Sequence, residues 1–99
     1  MADVVDQKDR NRFAVELDGY EAELVYRLEG DVLILVHTGV PDELGGRGIG
    51  ADLVRAAIDR AEKERLTIAP WCPFARKWLE DHPDEAARAS LDWESRPNS

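Results

Sequence analysis

The feature that most constrains the fold is a strand, a glycine-rich turn and a long helix that follow one another from residue 32 to residue 65. Residues 32–36 are apolar without alternation, which is typical of a strand in the middle of a sheet with both faces covered. Apolar residues then recur at helical spacing from Ile49 to Ala61, and a short strand-like segment follows at residues 66–69. Because a helix between two strands usually connects parallel neighbours, we predict a parallel strand–helix–strand unit.

The residues before this unit predict antiparallel strands. Apolar and polar residues alternate over residues 12–17 and again over residues 20–28, as expected for half-buried strands. Asp18 and Gly19 between them favour a two-residue hairpin, because both turn positions must accept a positive φ. We therefore predict a compact α/β domain with a mixed sheet, in which an antiparallel meander precedes the parallel unit and helices follow at the C-terminal end. One of these helices should start at Pro73 and another should cover residues 84–93.

Length and charge limit the organisation and the partners. The chain has 99 residues, so we expect one domain spanning residues 1–99, with loose tails at residues 1–11 and 94–99. The net charge of −8 argues against nonspecific binding to nucleic acid or to anionic membranes, which both need an excess of Lys and Arg. A cationic amine would suit this charge better. An exposed sheet edge leaves both a monomer and a weak homodimer open.

Several features favour a cytoplasmic protein. No apolar run reaches the roughly 18 residues that a membrane span needs, and the N-terminus lacks a basic region followed by an apolar one. With a single cysteine, Cys72, no internal disulfide can form. A free thiol is typical of a reducing compartment.

Closely spaced glycines open the long helix. They allow main-chain N–H groups to approach a ligand, and the helix N-terminus carries about half a positive charge, which favours phosphate. Arg47 can add a charged contact. A flexible loop that merely eases the start of the helix explains the same residues equally well. The glycines are Gly45, Gly46, Gly48 and Gly50.

Two familiar phosphate loops do not match this turn. Residues 46–51 formally satisfy the dinucleotide-binding pattern, but that pattern requires an acidic residue about 20 positions further on, where this chain has Ile68, Ala69 and Pro70. A Walker loop ends in Lys followed by Ser or Thr, and the turn contains neither.

The glycine turn and Cys72 follow the two strands of the parallel unit. Both strands point the same way, so their carboxyl ends meet at one edge of the sheet, which is where open sheets bind ligands. His37 ends the first strand and is a candidate general base, because an imidazole exchanges protons near neutral pH. A hydrogen-bonded structural histidine is the commoner alternative. No histidines or carboxylates have metal-ligand spacing, so we predict no metal.

Cys72 is a candidate nucleophile. It precedes Pro73, which suits the first position of a helix, and the partial positive charge at a helix start favours the thiolate form of a cysteine. A thiolate beside an acetyl thioester can accept the acetyl group by thioester exchange. The alternative is a cysteine that only fills space, because free cysteine is among the most buried residue types.

Together these motifs resemble the GNAT acetyltransferase superfamily, whose acyl-CoA-binding motif is Gln/Arg-x-x-Gly-x-Gly/Ala at the start of the central helix. Gly48 and Gly50 match the two later positions, whereas Gly45 stands where Gln or Arg is usual. The segments 37–41, 70–74 and 82–83 are similar to a very small GNAT-like subfamily of about 90 to 100 residues. The resemblance covers most of residues 12–83.

The resemblance implies a fold that binds coenzyme A, with the pyrophosphate on the glycine turn. It also implies that the pantetheine arm lies between two splayed parallel strands, which would end here at Thr38 and Ala69. A cysteine near the acetyl group is a proposed acetyl carrier in this subfamily, and Cys72 matches its position. The implied cofactor-binding residues are Thr38, Gly39, Val40, Gly45, Gly46, Arg47, Gly48, Ile49 and Gly50.

We therefore predict an N-acetyltransferase that uses acetyl-CoA and acetylates an amine, either a small molecule or an amine on a macromolecule. Transfer through an acetyl-cysteine at Cys72 and direct attack by the amine both remain open. Two rival functions are a coenzyme A sensor without turnover and a protein-interaction module in which the glycines only turn the chain.

Overall fold

The computed structural model describes residues 3–97 and is built on a six-stranded mixed sheet. The strands lie side by side in chain order, the first four antiparallel and the last three, β4 to β6, parallel to one another. The strands are β1 (Val5–Gln7), β2 (Arg12–Leu17), β3 (Tyr20–Glu29), β4 (Val32–Gly39), β5 (Thr67–Pro70) and β6 (Ser90–Leu91). The helices are α1 (Ile49–Glu64), α2 (Pro73–Asp81) and α3 (Pro83–Ala86), and short 3-10 segments span Lys8–Arg10 and Asp42–Leu44. The predicted order, a meander followed by a parallel unit, is confirmed.

The hydrophobic core lies between one face of the sheet and the helices. The buried side of α1 repeats every three or four residues, as the periodicity predicted. Its residues are Ile49, Leu53, Val54, Ala57, Ile58 and Ala61, and they form one cluster with Phe13, Leu24, Tyr26, Leu33 and Leu35 of the sheet and with Ala75 and Leu79 of α2. We call this side of the sheet the helix face. Side chains alternate along a strand, so Arg12 and Glu23, each next to a core residue, lie on the opposite side, the second face.

A β-bulge in β4 shapes the edge where the parallel strands end. Tyr26 pairs with Leu35, but Val25 pairs with His37, so Val36 is an extra residue in β4. A bulge bends its strand and redirects the side chains that follow it. The pairing of β4 with β5 ends at Leu35, and residues 36–39 continue beside β3 alone. The sheet therefore opens between β4 and β5 just beyond the bulge.

The structure corrects the prediction of a loose tail over residues 1–11. Residues 5–7 form β1 beside β2, and long-range polar contacts hold this strand in place. The carboxylate of Asp6 accepts hydrogen bonds from the Tyr26 hydroxyl at 2.6 Å and from Arg60 Nη1 at 3.0 Å. Residues 1–2 and 98–99, which complete the two predicted tails, lie outside the described residues.

The C-terminal end also differs from the prediction. The helix expected over residues 84–93 is limited to Pro83–Ala86, and Ser90–Leu91 instead pairs with β5 as the sixth strand. The main-chain N–H and C=O groups at the edge of β5 are hydrogen-bond partners for these residues. A longer helix would leave those edge groups unpaired. The following segment is anchored at Ser95, whose hydroxyl accepts a hydrogen bond from the Trp71 indole at 2.8 Å.

Candidate functional site

A cleft of about 400 Å³ lies at the open edge of the sheet, between the end of β4, the glycine turn and the start of α2. In the cleft, the glycine turn lies next to the end of β4, the strand that it follows. The topology predicts a ligand site at this edge of the sheet, where the parallel strands end. The cleft is lined by Thr38, Val40, Leu44, Gly45, Gly46, Gly48, Ile49, Gly50, Ala51 and Phe74.

Two positions of the glycine turn need glycine because of their backbone conformation. Gly46 and Gly48 have φ values of 79° and 73°, in the left-handed region that residues with a Cβ rarely adopt. A Cβ added at either position would meet nothing within 4 Å. The turn is therefore open on the side where these residues face the cleft, and a ligand can approach its main chain.

The main-chain N–H groups of this turn are the strongest binding feature. From residue 46 to residue 51, none of these consecutive groups has a hydrogen-bond acceptor among residues 3–97. The first amide of the helix with a main-chain partner is that of Asp52, which donates to the Gly48 carbonyl at 3.0 Å. N–H groups at a helix start attract anions, because the helix dipole adds partial positive charge there.

Gly50 is needed for a different reason, close packing against Phe74. A Cβ at position 50 would lie 2.6 Å from Cζ of Phe74 and 3.0 Å from its Cε2, closer than carbon atoms can pack. The Phe74 ring is 45% exposed and forms one wall of the cleft. The absent side chain at position 50 therefore allows this ring to close over the start of α1.

Cys72 lies immediately behind the cleft, at the N-cap of α2. Its N–H donates to the Leu35 carbonyl at 2.8 Å, and its own carbonyl accepts from the N–H of Arg76 at 2.9 Å. The sulfur is 3.1 Å from Oγ1 of Thr38, a residue that lines the cleft. Cys72 is only 3% exposed and is not itself a lining residue. The thiol therefore contacts Thr38, which lines the cleft, but does not line the cleft itself.

His37 does not join Cys72. It pairs with Val25, which lies between two core residues of β3, so His37 is on the second face and is exposed to solvent. Its Nε2 is 3.5 Å from the point where a Cβ on Gly39 would lie, and Cγ of Glu23 is 4.0 Å from that point. The two predicted catalytic side chains are therefore on opposite faces of the sheet.

Two of the predicted cofactor-binding residues lie outside the cleft. Nη1 of Arg47 donates to Oδ2 of Asp18 at 2.7 Å, so its side chain is directed to the β2–β3 hairpin. Gly39 lines a second cavity on the other side of β4.

The cleft also contains residues that were not predicted as binding residues, namely Leu44, Ala51 and Phe74. Of these three, Phe74 forms one wall of the cleft. Its position two residues after Cys72 was the available signal, whereas apolar spacing does not distinguish a cleft wall from the core.

Two further findings concern residues 3–97. No group of three or more His, Cys, Asp or Glu side chains in this range is arranged to hold a metal ion. No helix in the same range is long and apolar enough to cross a membrane. The absence of a metal cofactor stays a prediction.

The fold and the cleft define a class of protein, an α/β domain with an open parallel edge and a glycine turn whose N–H groups at residues 46–51 have no acceptor among residues 3–97, which suits a phosphorylated ligand. The chain belongs to the GCN5-related N-acetyl-transferase family, whose model matches residues 12–89. The prediction of a small GNAT-like protein is thereby confirmed, and family membership supports acetyl transfer as the general activity.

Relatives and a solved structure agree with this assignment. Protein NATD1 of Mus musculus is 35% identical over 79 residues, which cover 77% of this chain and 72% of the relative. Protein NATD1 of Homo sapiens is 36% identical over 77 residues, covering 75% and 68%. The solution structure of a GCN5-like protein from Staphylococcus aureus superposes with a TM-score of 0.71 at 30% identity and covers 94% of this chain and 93% of that one.

Proposed function

We propose that this protein is an N-acetyltransferase that binds acetyl-CoA in the cleft and acetylates an amine. The observation that carries the proposal is the row of main-chain N–H groups from residue 46 to residue 51, which have no acceptor within the described residues 3–97. Pyrophosphate oxygens are acceptors that suit such a row at a helix start. Family membership supports the chemistry in general, and the cleft supplies a place for it.

The rest of the cleft also fits coenzyme A. Beyond the bulge, residues 38–40 no longer pair with β5. The edge of their main chain that faces β5 is therefore available to an extended ligand such as a pantetheine arm. Leu44, Val40 and Phe74 add apolar surface, which suits the uncharged part of that arm. Acetyl-CoA supplies the acetyl group as an activated thioester. The protein residues hold it and exclude water from the edge of the sheet.

Cys72 is the candidate acetyl acceptor within this proposal. In the two-step route, Sγ bonds to the acetyl carbon while the thioester C–S bond breaks, and the cysteine proton leaves on the free thiol of coenzyme A. The amine nitrogen then attacks the acetyl-cysteine, and Sγ regains a proton from the amine. The Thr38 hydroxyl, 3.1 Å from the sulfur, can donate to Sγ and stabilise its thiolate form.

Direct attack by the amine is the second candidate route. The observation that favours it is the burial of Cys72, which is 3% exposed. In this route the amine nitrogen bonds to the acetyl carbon, the C–S bond breaks, and the amine proton ends on the departing thiol. Cys72 then packs behind Thr38 and supports the shape of the cleft.

Incubation of the full chain with acetyl-CoA, followed by intact-protein mass measurement, tests the two-step route. We expect an adduct of one acetyl group in the wild type and none in Cys72→Ala. Thr38→Val serves as a matched variant, because it keeps the thiol and the side-chain shape but removes the hydroxyl. It should acquire the adduct about tenfold more slowly.

Two assays distinguish the remaining functions: acetyl transfer to an added amine, and thermal stabilisation of the protein by coenzyme A. Transfer to an added primary amine by Cys72→Ala at the wild-type rate would overturn the carrier role and support direct attack. Tight coenzyme A binding without any transfer would contradict turnover and indicate a sensor. A ligand bound by the native state alone must raise its stability. Absence of thermal stabilisation by saturating coenzyme A would therefore overturn the whole proposal in favour of an interaction module.

A further inference from the structure

Thr38 is the residue that contacts both the cleft and the sulfur of Cys72. It pairs with Leu24, a core residue of β3, so its side chain lies on the helix face of β4. There it lines the cleft, and its Oγ1 is 3.1 Å from Sγ of Cys72. Cys72 itself is not among the lining residues. An acyl group that moves from a ligand in the cleft to the sulfur therefore meets the Thr38 side chain.

Hydrogen bonds on both sides hold the main chain of Cys72 in place. Its N–H donates to the Leu35 carbonyl at 2.8 Å, and its carbonyl accepts from the N–H of Arg76 at 2.9 Å. Cys72 is thereby fixed between β4 and α2. Because Sγ is one torsion away from this main chain, the sulfur has only a few staggered positions. The acyl group has to come to the sulfur, since the sulfur cannot swing far into the cleft.

The remaining surroundings of the sulfur belong to the hydrophobic core. Cys72 is buried in one cluster with Leu35, Ala75 and Leu79, which are buried as well. Protein interiors are close-packed and contain few spaces larger than a water molecule. An acyl group bonded to Sγ therefore extends toward the cleft, into the space that the Thr38 side chain borders.

The cleft itself sets no comparable limit on the length of an acyl chain. Its volume is about 400 Å³, and Val40, Leu44 and Phe74 give it an apolar lining. An acyl chain longer by one or two methylene groups gains apolar contact on such a surface. The donor thus has room where it binds, whereas its acyl group has little room where it would be transferred.

We propose that Thr38 determines which acyl group is transferred to Cys72. The acetyl group reaches the sulfur, and longer acyl groups bind in the cleft but are excluded from it. This inference rests on the two-step route of the proposed function. The step is the same for every acyl group: Sγ bonds to the acyl carbon, the thioester C–S bond breaks, and the cysteine proton leaves on the thiol of coenzyme A. The methyl group of Thr38 is the part that limits the space.

Intact-protein mass measurement with a series of donors tests this role. Acetyl-, propionyl- and butyryl-CoA differ by one methylene group each, and Cys72 is the single cysteine of the chain. In the wild type, the propionyl adduct should form about tenfold more slowly than the acetyl adduct, and the butyryl adduct about 100-fold more slowly. Calorimetry on Cys72→Ala, in which no acyl-cysteine can form, should show that the longer donors bind at least as tightly as acetyl-CoA.

Two variants separate the size of the Thr38 side chain from its hydroxyl. Thr38→Ser removes the methyl group and keeps the hydroxyl, so the difference between acetyl and propionyl transfer should shrink to about twofold. Thr38→Val keeps the size and removes the hydroxyl. Both transfers should then be slower, and the difference of about tenfold between them should remain. Thr38 is only half-buried, so both variants should fold, which a melting curve checks.

Alkylation of the thiol tests the same limit without coenzyme A. Iodoacetamide and iodoacetanilide share the iodomethyl carbon to which Sγ bonds as iodide leaves, but the second reagent carries a phenyl ring. Compared with the same pair reacting with N-acetylcysteine, iodoacetanilide should be disfavoured at least about tenfold in the wild type and in Thr38→Val. In Thr38→Ser this factor should fall to about threefold.

Two results would overturn the inference. One is equal rates of acetyl and propionyl transfer in the wild type. The other is a preference, for acyl donors or for alkylating reagents, that Thr38→Ser leaves unchanged. Both would leave the proposed acetyl transfer standing, because the acetyl adduct still forms. Absence of an adduct with every donor would instead contradict the two-step route, and the acyl-length limit would fall with it.

Discussion

Replacing Gly50 with alanine should weaken acetyl-CoA binding without unfolding the protein. The new Cβ would lie 2.6 Å from Cζ of Phe74, and ordinary contact begins at 3.4 Å, so the ring must withdraw by about 0.8 Å. Phe74 is 45% exposed, and its ring can rotate toward solvent. That rotation removes one wall of the cleft.

Opposing effects should leave the stability of Gly50→Ala almost unchanged. Alanine gains up to about 1 kcal/mol over glycine within a helix. The displaced Phe74 ring loses about 40 Å² of apolar contact, which costs about 1 kcal/mol. The melting temperature should therefore stay within about 6 °C of the wild-type value. Binding should fall about tenfold, which corresponds to about 1.4 kcal/mol.

Isothermal titration calorimetry with acetyl-CoA measures this effect, and Phe74→Ala provides the control. The double variant Gly50→Ala/Phe74→Ala has no ring to displace, so its affinity should equal that of Phe74→Ala alone. Wild-type affinity in Gly50→Ala, to within about twofold, would refute the reasoning. A loss in the double variant that equals the sum of the single losses would show that Phe74 does not transmit the effect.

Two further predictions concern stability against pH, measured by urea unfolding. Burial and then the hydrogen bond to Asp6 raise the pKa of Tyr26 to about 12, whereas the unfolded chain loses this proton at about pH 10. The stabilisation is therefore present below pH 10 and is lost as pH rises to about 12. Tyr26→Phe should flatten that alkaline decline. The hydrogen bond from Arg55 lowers the pKa of Glu85 below 4.5, so its stabilisation is present above pH 4.5 and lost as pH falls through the folded-state pKa. Glu85→Gln should flatten the acid decline. Profiles of Tyr26→Phe and Glu85→Gln that run parallel to the wild type would contradict the two assignments.

The central elements were predictable because their signals are local. The apolar run of β4 and the helical period of α1 depend on neighbouring residues, and both elements lie where the pattern predicts. β1 and β6 are different. Residues 5–7 and 90–91 have no strand pattern of their own, and they become strands because the edges of β2 and β5 offer main-chain partners. Short edge strands of this kind depend on contacts that are distant in sequence.

The sequence predicted which residues of the site meet at one edge of the sheet, but not on which face of the sheet each side chain lies. Parallel strands place the glycine turn and Cys72 at one edge, and the structure puts the sulfur beside the cleft residue Thr38. The bulge at Val36, which separates His37 from Cys72, has no sequence signal. Alternation likewise predicted Arg12 on an outward face. Its burial depends on partners from two other strands, β1 and β3, which the alternation within one strand does not show.

The most direct test of the central claim is an NMR titration of the full ¹⁵N-labelled chain with coenzyme A. If the pyrophosphate binds to the glycine turn, the largest amide shifts will fall at residues 46–51, whose N–H groups have no acceptor in the part of the chain that the structure describes, residues 3–97. Smaller shifts are expected at residues 38–40. At equal ligand concentration, the same amides should shift less in Gly50→Ala than in the wild type. A titration that leaves residues 46–51 unshifted, or that shifts amides remote from the cleft, would contradict the account.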